Sequence, residues 1–420
     1  MNAHWAYNWV QIMAHNKKLL SIVWVALSLF TSLGLFELDA GLLSGHSGLF
    51  GVGRADWILL FASLVLMSLT LGFLMDSFRA GLVQLLLSGY ILLMLFGVLG
   101  WMNSEFTHES LLAIVVVVTL LTSNLVHILS TLLREMARGA FQYDAVSEAL
   151  KLNATPIFLS NLTTALGFMF AAWFDASLVN LAVIVTLGVV ISYLSAMTWL
   201  PMFLLSYLLE FRVGNSQDRH GFSVLAKWLV EHSRIRQILL WFSALFTLGL
   251  VGLHWFVLPQ LQGVFWLAGS FLLLFLLFWR SLKLALINVV INLVALLLTV
   301  TLLMAFIELD NINLLLLMVP LGLIVDDGIH FFSRYVRAQQ SVFTDAESAV
   351  RYSMASVGRT IWVTSWVLLV GLSVLLFSQS DLVALASLVT LLALVIATLL
   401  VLVVVPALLI AFGDKKTDDI

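Results

Sequence analysis

The chain has no cysteine in 420 residues, which excludes disulfides and thiolate metal sites. Charge is also scarce: Asp, Glu, Lys and Arg make up 10% of the residues, against about 25% in an ordinary soluble domain. A net charge of −3 offers no basic excess, and no basic patch interleaved with aromatics is present, so nucleic acid is not an expected partner. No nucleophile, metal-ligand cluster or phosphate-binding glycine loop stands out. The chain therefore does not read as an enzyme, and no cofactor is expected. What fills the space is apolar: 62% of residues are hydrophobic, the composition of a protein dissolved in lipid.

A spanning helix needs about 20 predominantly apolar residues. Twelve segments qualify: 18–36, 57–75, 80–101, 109–132, 155–173, 180–208, 236–256, 262–279, 284–306, 312–333, 360–378 and 382–412. The apolar run of the first, Leu19–Phe36, follows Lys17 and Lys18, has no small-residue cleavage site after it, and reads as a retained helix rather than a leader. With the N-terminus in the cytoplasm, all 20 Lys and Arg except Arg54 fall inside, as the positive-inside rule expects. Both termini are then cytoplasmic. The outer loops are short and mostly acidic, and the one sizeable linker lies inside.

An internal repeat underlies this pattern. "FLMDSFRAGL" (73–82) resembles "LFWRSLKLAL" (277–286), and "LTSNLVHILSTLLRE" (121–135) lies over "IVDDGIHFFSRYVRA" (324–338). "AVSEALKLNATPIFLSNLTTALGF" (145–168) lies over "AVRYSMASVGRTIWVTSWVLLVGL" (349–372), and Pro201 corresponds to Pro406. The offset stays near 203–205 residues, so the chain is expected to be an all-α polytopic membrane protein built from two parallel six-helix repeats. Residues 1–209 form the first repeat, 210–235 the cytoplasmic linker and 236–420 the second repeat.

Chemistry concentrates in the tenth span. Asp326 and Asp327 are the only acids in the interior of any span, and a charge at the centre of a membrane helix costs about 2.5–3.5 kcal/mol on insertion scales. Gly322, Asp326 and His330 share one helix face, with Asp327 about 100° round from Asp326. Ser123, Asn124 and His127 occupy the same positions in the first repeat. The following spans supply neutral partners, Ser160, Asn161, Thr163 and Thr164 in one repeat and Thr364 and Ser365 in the other. Adjacent buried carboxylates repel, so the pair is expected to titrate as a unit. His330 or His127 is placed to hold or pass the proton.

No Lys or Arg is expected at membrane depth to neutralise the acids, which favours proton exchange over a static ion pair. The blander reading is structural, with protonated carboxyls and the Ser/Thr/Asn cluster serving as interhelical hydrogen bonds. Amphipathic segments precede the fifth span of each repeat, Tyr143–Leu152 and Asp345–Val357. They are expected to lie on the membrane surface as buttresses, the second capped by Asp345.

With Gly-x-x-x-Asp-Asp at Gly322–Asp327, followed by Ile329, His330 and Arg334, the chain resembles the RND (resistance–nodulation–division) superfamily. It is most similar to the MmpL-like exporters, and "PIFLSNLTTALGF" is similar to that family's fifth-helix pattern. The resemblance implies an RND-like transmembrane core in a bacterial inner membrane, driven by the proton motive force and moving hydrophobic or amphiphilic, lipid-like molecules. Asp326, Asp327 and His330 would form its proton relay. Ser123, Asn124, His127, Ser160, Asn161, Thr164, Thr364 and Ser365 would be the supporting polar groups.

The large extracytoplasmic porter domains typical of such proteins are missing. Only Glu37–Asp56 and Val257–Leu261 stand in their places. Cargo would then be handled within the membrane or by a separate periplasmic carrier or adaptor protein; a homo-oligomer is left open. The competing reading is a non-transporting lipid sensor or scaffold similar to sterol-sensing modules.

Overall fold

The computed structural model describes residues 5–43, 54–104, 110–206, 222–253, 262–304, 306, 317–341 and 345–412. They are helical, with no strand among them. The helices are α1 (Trp5–His15), α2 (Lys17–Leu43), α3 (Arg54–Leu74), α4 (Phe78–Trp101), α5 (Ser110–Ala137), α6 (Gln142–Phe174), α7 (Val179–Met197) and α8 (Trp199–Ser206). Then follow α9 (Ser223–Glu231), α10 (Ser233–Leu253), α11 (Gln262–Trp279), α12 (Leu282–Met304), α13 (Met318–Ser341), α14 (Ala346–Ser353), α15 (Arg359–Ser373), α16 (Asp381–Leu399) and α17 (Val405–Phe412).

Eleven helical stretches among the described residues are long and apolar enough to cross a membrane. They match eleven of the twelve expected spans. The twelfth, 312–333, begins outside the described residues. Its described part lies in α13, which carries Asp326, Asp327, Arg334 and Arg337 and so falls short of the apolar criterion. The chain is a multi-pass membrane protein.

Two compact units emerge, Met1–Asn215 with Trp366–Leu388, and Ser216–Ser365 with Val389–Ile420. In the first unit, α5, α6 and α7 pack against one another, and α4 packs on α2, α3, α5 and α7. Its α2 and α4 come close enough for backbone contact. A Cβ added at Gly97 would sit 2.1 Å from the Thr31 carbonyl oxygen, and one added at Gly34 would sit 2.0 Å from that of Gly97. Small residues that let helix backbones touch are the usual membrane substitute for a hydrophobic driving force, which lipid does not supply. Trp366–Leu388 joins this unit through contacts such as the Ser63 hydroxyl donating to the Gly371 carbonyl, 2.9 Å.

In the second unit, α12 and α13 pack on each other and on α11, and α14 packs on α13, α9 and α17. Asp345 caps α14 as expected, its Oδ2 accepting from the Ser348 N–H at 2.8 Å. Two features depart from the sequence expectation. Neither expected surface segment is separate: residues 142–152 are the first turns of α6, whose 33 residues span about 50 Å against about 30 Å of hydrocarbon, and α14 runs through a π turn, Met354–Gly358, straight into α15. The linker 210–235 is helical from Ser223, and its α9 buries Ala226 and Leu229. Residues 210–221 lie outside the described set.

Local geometry repeats as well as sequence. Asp76 and Arg280, 204 positions apart, both take left-handed backbone conformations, φ 51° and 52°, at the turn between second and third spans. Both sixth spans are interrupted just before their prolines. A non-helical Thr198 separates α7 from α8 ahead of Pro201, and a π turn, Leu400–Val404, precedes Pro406. Proline lacks an N–H and its ring collides with the carbonyl four residues back, so the ladder must break or widen there.

Candidate functional site

The tenth span is the least apolar of the set and also one of the best buried. Asp326, Asp327, His330 and Arg334 are 5%, 3%, 1% and 2% exposed. Within α13 the four-residue spacing sets the Asp326 carboxylate Oδ1 3.5 Å from the His330 Nε2. Asp327 points elsewhere. Its Oδ2 accepts from the Thr398 hydroxyl at 2.7 Å and from the Ser365 hydroxyl at 3.2 Å. Those two hydroxyls lie 2.9 Å apart, and Ser365 also bonds the Ile361 carbonyl at 2.7 Å. Side chains from α13, α15 and α16, all at positions within the second unit, thus converge on one carboxylate.

The third span of the same repeat adds amides. Asn288 is buried against α13, where a Cβ on Gly328 would meet its Oδ1 at 1.9 Å, so only glycine fits beside Asp327 without displacing the amide. Asn292, also buried, donates to the Asn288 carbonyl oxygen at 2.8 Å. Asn288 Nδ2 and Asn292 Oδ1 have no protein partner. Buried amide groups of this kind are where ordered water usually sits.

The first unit carries a neutral version of the same arrangement. Asn124, the counterpart of Asp327, donates to the Ser192 hydroxyl at 3.2 Å and the Asn161 Oδ1 at 3.4 Å. Asn161 stands where Ser365 stands, and Ser192 lies on the sixth span as Thr398 does. Gln84, exactly one repeat from Asn288 at an offset of 204, donates to Ser88 and Thr122 at 3.1 Å each. Amides and hydroxyls hold this junction together in one repeat, so the fold does not require the acids of the other.

The remaining expected residues are less central. Thr164 donates to the Ser160 carbonyl at 3.1 Å, and Thr364 to the Thr360 and Ile361 carbonyls, the back-bonding habit of threonine in a helix. Ser123 is buried on α5 beside Asn124. His127 is buried, and its carbonyl accepts from Asn153 Nδ2 at 3.1 Å.

Arg334, expected just past the inner end of the tenth span, is enclosed by protein rather than exposed. It is buried on α13 seven residues past Asp327, about 10.5 Å along the axis. Thr398, Ser192, Asn288 and Asn292 were not singled out by the sequence reading. Carrying the repeat offset through the third spans, from Gln84 and Ser88, would have found the two asparagines.

Residues 265–419 match the MMPL family. No curated protein matches the sequence. Among solved structures, SecDF, a translocon-associated membrane protein from Thermus thermophilus, aligns with a TM-score of 0.67 at 16% identity, over 87% of this chain and 63% of that one. SecDF in its super-membrane-facing form aligns with a TM-score of 0.64 at 15% identity, over 86% and 62%. The chain spans less than two thirds of the length of these SecDF chains. At such identities the likeness establishes the fold alone, a polytopic helical core, and the family match is confined to residues 265–419.

Proposed function

With residues 265–419 matching the MMPL family, we propose that the chain is a proton-motive-force-driven transporter, or the membrane motor of a transport complex, acting on lipid-like amphiphiles. Asp326 and Asp327 are its proton-exchanging pair, His330 is the group beside them, and the repeats 1–209 and 236–420 are its two halves, with cytoplasmic termini in a bacterial inner membrane. The observation that carries this reading is the contrast between repeats. Asp327 with Thr398 and Ser365, at 2.7 and 3.2 Å, stands where the other repeat has Asn124, Asn161 and Ser192. An acid placed where the fold is content with an amide is there for its proton.

Gain or loss of that proton changes how strongly α15 and α16 are held to α13, because hydrogen bonds to a charged acceptor are worth about 1.5–3 kcal/mol and neutral ones about half that. Such a difference is what biases a helix bundle between two arrangements. An apolar cavity of about 280 Å³ between α10, α11 and α12, lined by residues such as Val251, Val264, Phe265 and Val300, supports an apolar cargo.

The near-complete burial of the pair favours a second reading, a lipid sensor or scaffold that holds its acids out of water. Reconstitution in vesicles separates the two. In the transporter, Asp326→Asn with Asp327→Asn abolishes movement of a fluorescent lipid driven by a pH gradient while the protein stays folded; full activity in the double variant refutes the relay.

A further inference from the structure

The first unit has a groove that the proton site does not use. It encloses about 320 Å³ between α2, α4 and α8, and is lined by Ser21, Trp24, Ser28, Tyr90, Trp199 and Phe203, among others. Its aromatic walls are ordered: Tyr90 stacks on Trp199 with centroids 5.5 Å apart, Trp199 on Phe203 at 5.3 Å, and Trp24 meets Tyr90 edge-on at 6.4 Å. At the deep end the Tyr90 and Ser28 hydroxyls bond each other at 2.8 Å, and Ser28 also bonds the Trp24 carbonyl, so that end asks for no polar ligand.

The other end is cationic. Lys17 shares the α2 face of Ser21 and Ser28 and donates one of its three N–H groups to the Leu205 carbonyl at 3.2 Å, which holds the ammonium over the last turn of α8 beside Ser206. Lys18 is exposed next to it. From Lys17 to Ser28 the helix rises about 16 Å, the depth of one leaflet of a hydrocarbon core about 30 Å thick.

We propose that this groove is a site for one anionic phospholipid, its acyl chain lying along Trp24, Tyr90 and Trp199 and its phosphate over Lys17 and Lys18. An aromatic trough of one leaflet's depth with two cations at its mouth matches a lipid whose tail is apolar and whose head is negative. The site involves none of the groups assigned to proton exchange, and its test reads bound lipid rather than transport, so either reading fails without the other.

The experiment is native mass spectrometry of the delipidated protein in detergent, titrated with phosphatidylglycerol or phosphatidylcholine of identical chains. Wild type is expected to retain one phosphatidylglycerol in preference to phosphatidylcholine. Val25→Trp, at a groove residue 58% exposed, fills the trough and abolishes that retention. Ser21→Phe, also on the exposed wall, does the same by a different route. Lys17→Gln with Lys18→Gln lowers phosphatidylglycerol affinity about fivefold per lysine and leaves phosphatidylcholine unchanged. Equal retention of the two lipids by wild type, or undiminished retention in folded Val25→Trp and Ser21→Phe proteins, overturns the proposal.

Discussion

Replacing Asp327 by Asn rebuilds, in the second repeat, the chemistry that the first repeat already tolerates. The Asn oxygen still accepts from Thr398 and Ser365, which lie 2.7 and 3.2 Å from Oδ2 in the wild type. If the wild-type group is charged, each bond loses about 1 kcal/mol on becoming neutral, or about 2 kcal/mol for the two. Against that stands the removal of a buried ion, whose effective penalty is several kcal/mol. If the wild-type group is protonated, the exchange is nearly isosteric.

Either way, the folded protein loses no more than about 2 kcal/mol, in contrast to the complete loss expected of proton-driven movement. Denaturant unfolding in mixed micelles, run beside a flux assay on the same preparation, reads both. A loss of stability well beyond that figure would mean the carboxylate is a structural brace, and the argument from the neutral repeat would be wrong.

Two further outcomes follow from packing and capping. Gly97→Ala puts a methyl 2.1 Å from a backbone oxygen that cannot swing aside, so α2 and α4 must separate by more than 1 Å to reach ordinary contact near 3.4 Å. A cost of at least about 1–3 kcal/mol is expected. With no native cysteine to interfere, a Thr31→Cys/Met94→Cys pair, on facing positions of α2 and α4, should cross-link faster in the parent than in the alanine variant. Asp345→Ala should cost about 1 kcal/mol at the start of α14 and speed amide exchange over Ala346–Ser353.

Because the Ser348 N–H and hydroxyl hold the Asp345 carboxyl below its usual range, the cap's contribution is complete above the unfolded-state carboxylate pKa. It fades as pH falls through the lower folded value. The exchange difference between wild type and Asp345→Ala should therefore vanish in acid; a difference that persisted there would show that the capping bonds are not its source.

The architecture was legible in the sequence because long apolar runs and a duplicated pattern at a near-constant offset are strong, redundant signals. The acids were legible because nothing else in the membrane-spanning segments resembles them. Thr398 was not: one of two threonines in an almost wholly aliphatic helix, it carries no signal of its own until the fold turns it toward Asp327. The same holds for Asn288, whose meaning comes from its contact with Gly328.

The short helices α1 and α9 escaped notice because each is too brief and too mixed in polarity to resemble a span. Each nonetheless buries a small apolar face: Ala6, Val10 and Met13 in one, Ala226 and Leu229 in the other. The burial of Arg334 was not legible, since enclosure of a guanidinium depends on neighbours that sequence spacing does not reveal.

The central claim is that the Asp326–Asp327 pair takes up and releases a proton. Infrared difference spectroscopy of the lipid-reconstituted protein, stepped through pH, tests it most directly. A protonated-carboxyl band that appears and disappears with pH in the wild type, and is missing from Asp326→Asn/Asp327→Asn, is the expected result. The same band in the double variant, or no pH-dependent carboxyl band in the wild type, would contradict it.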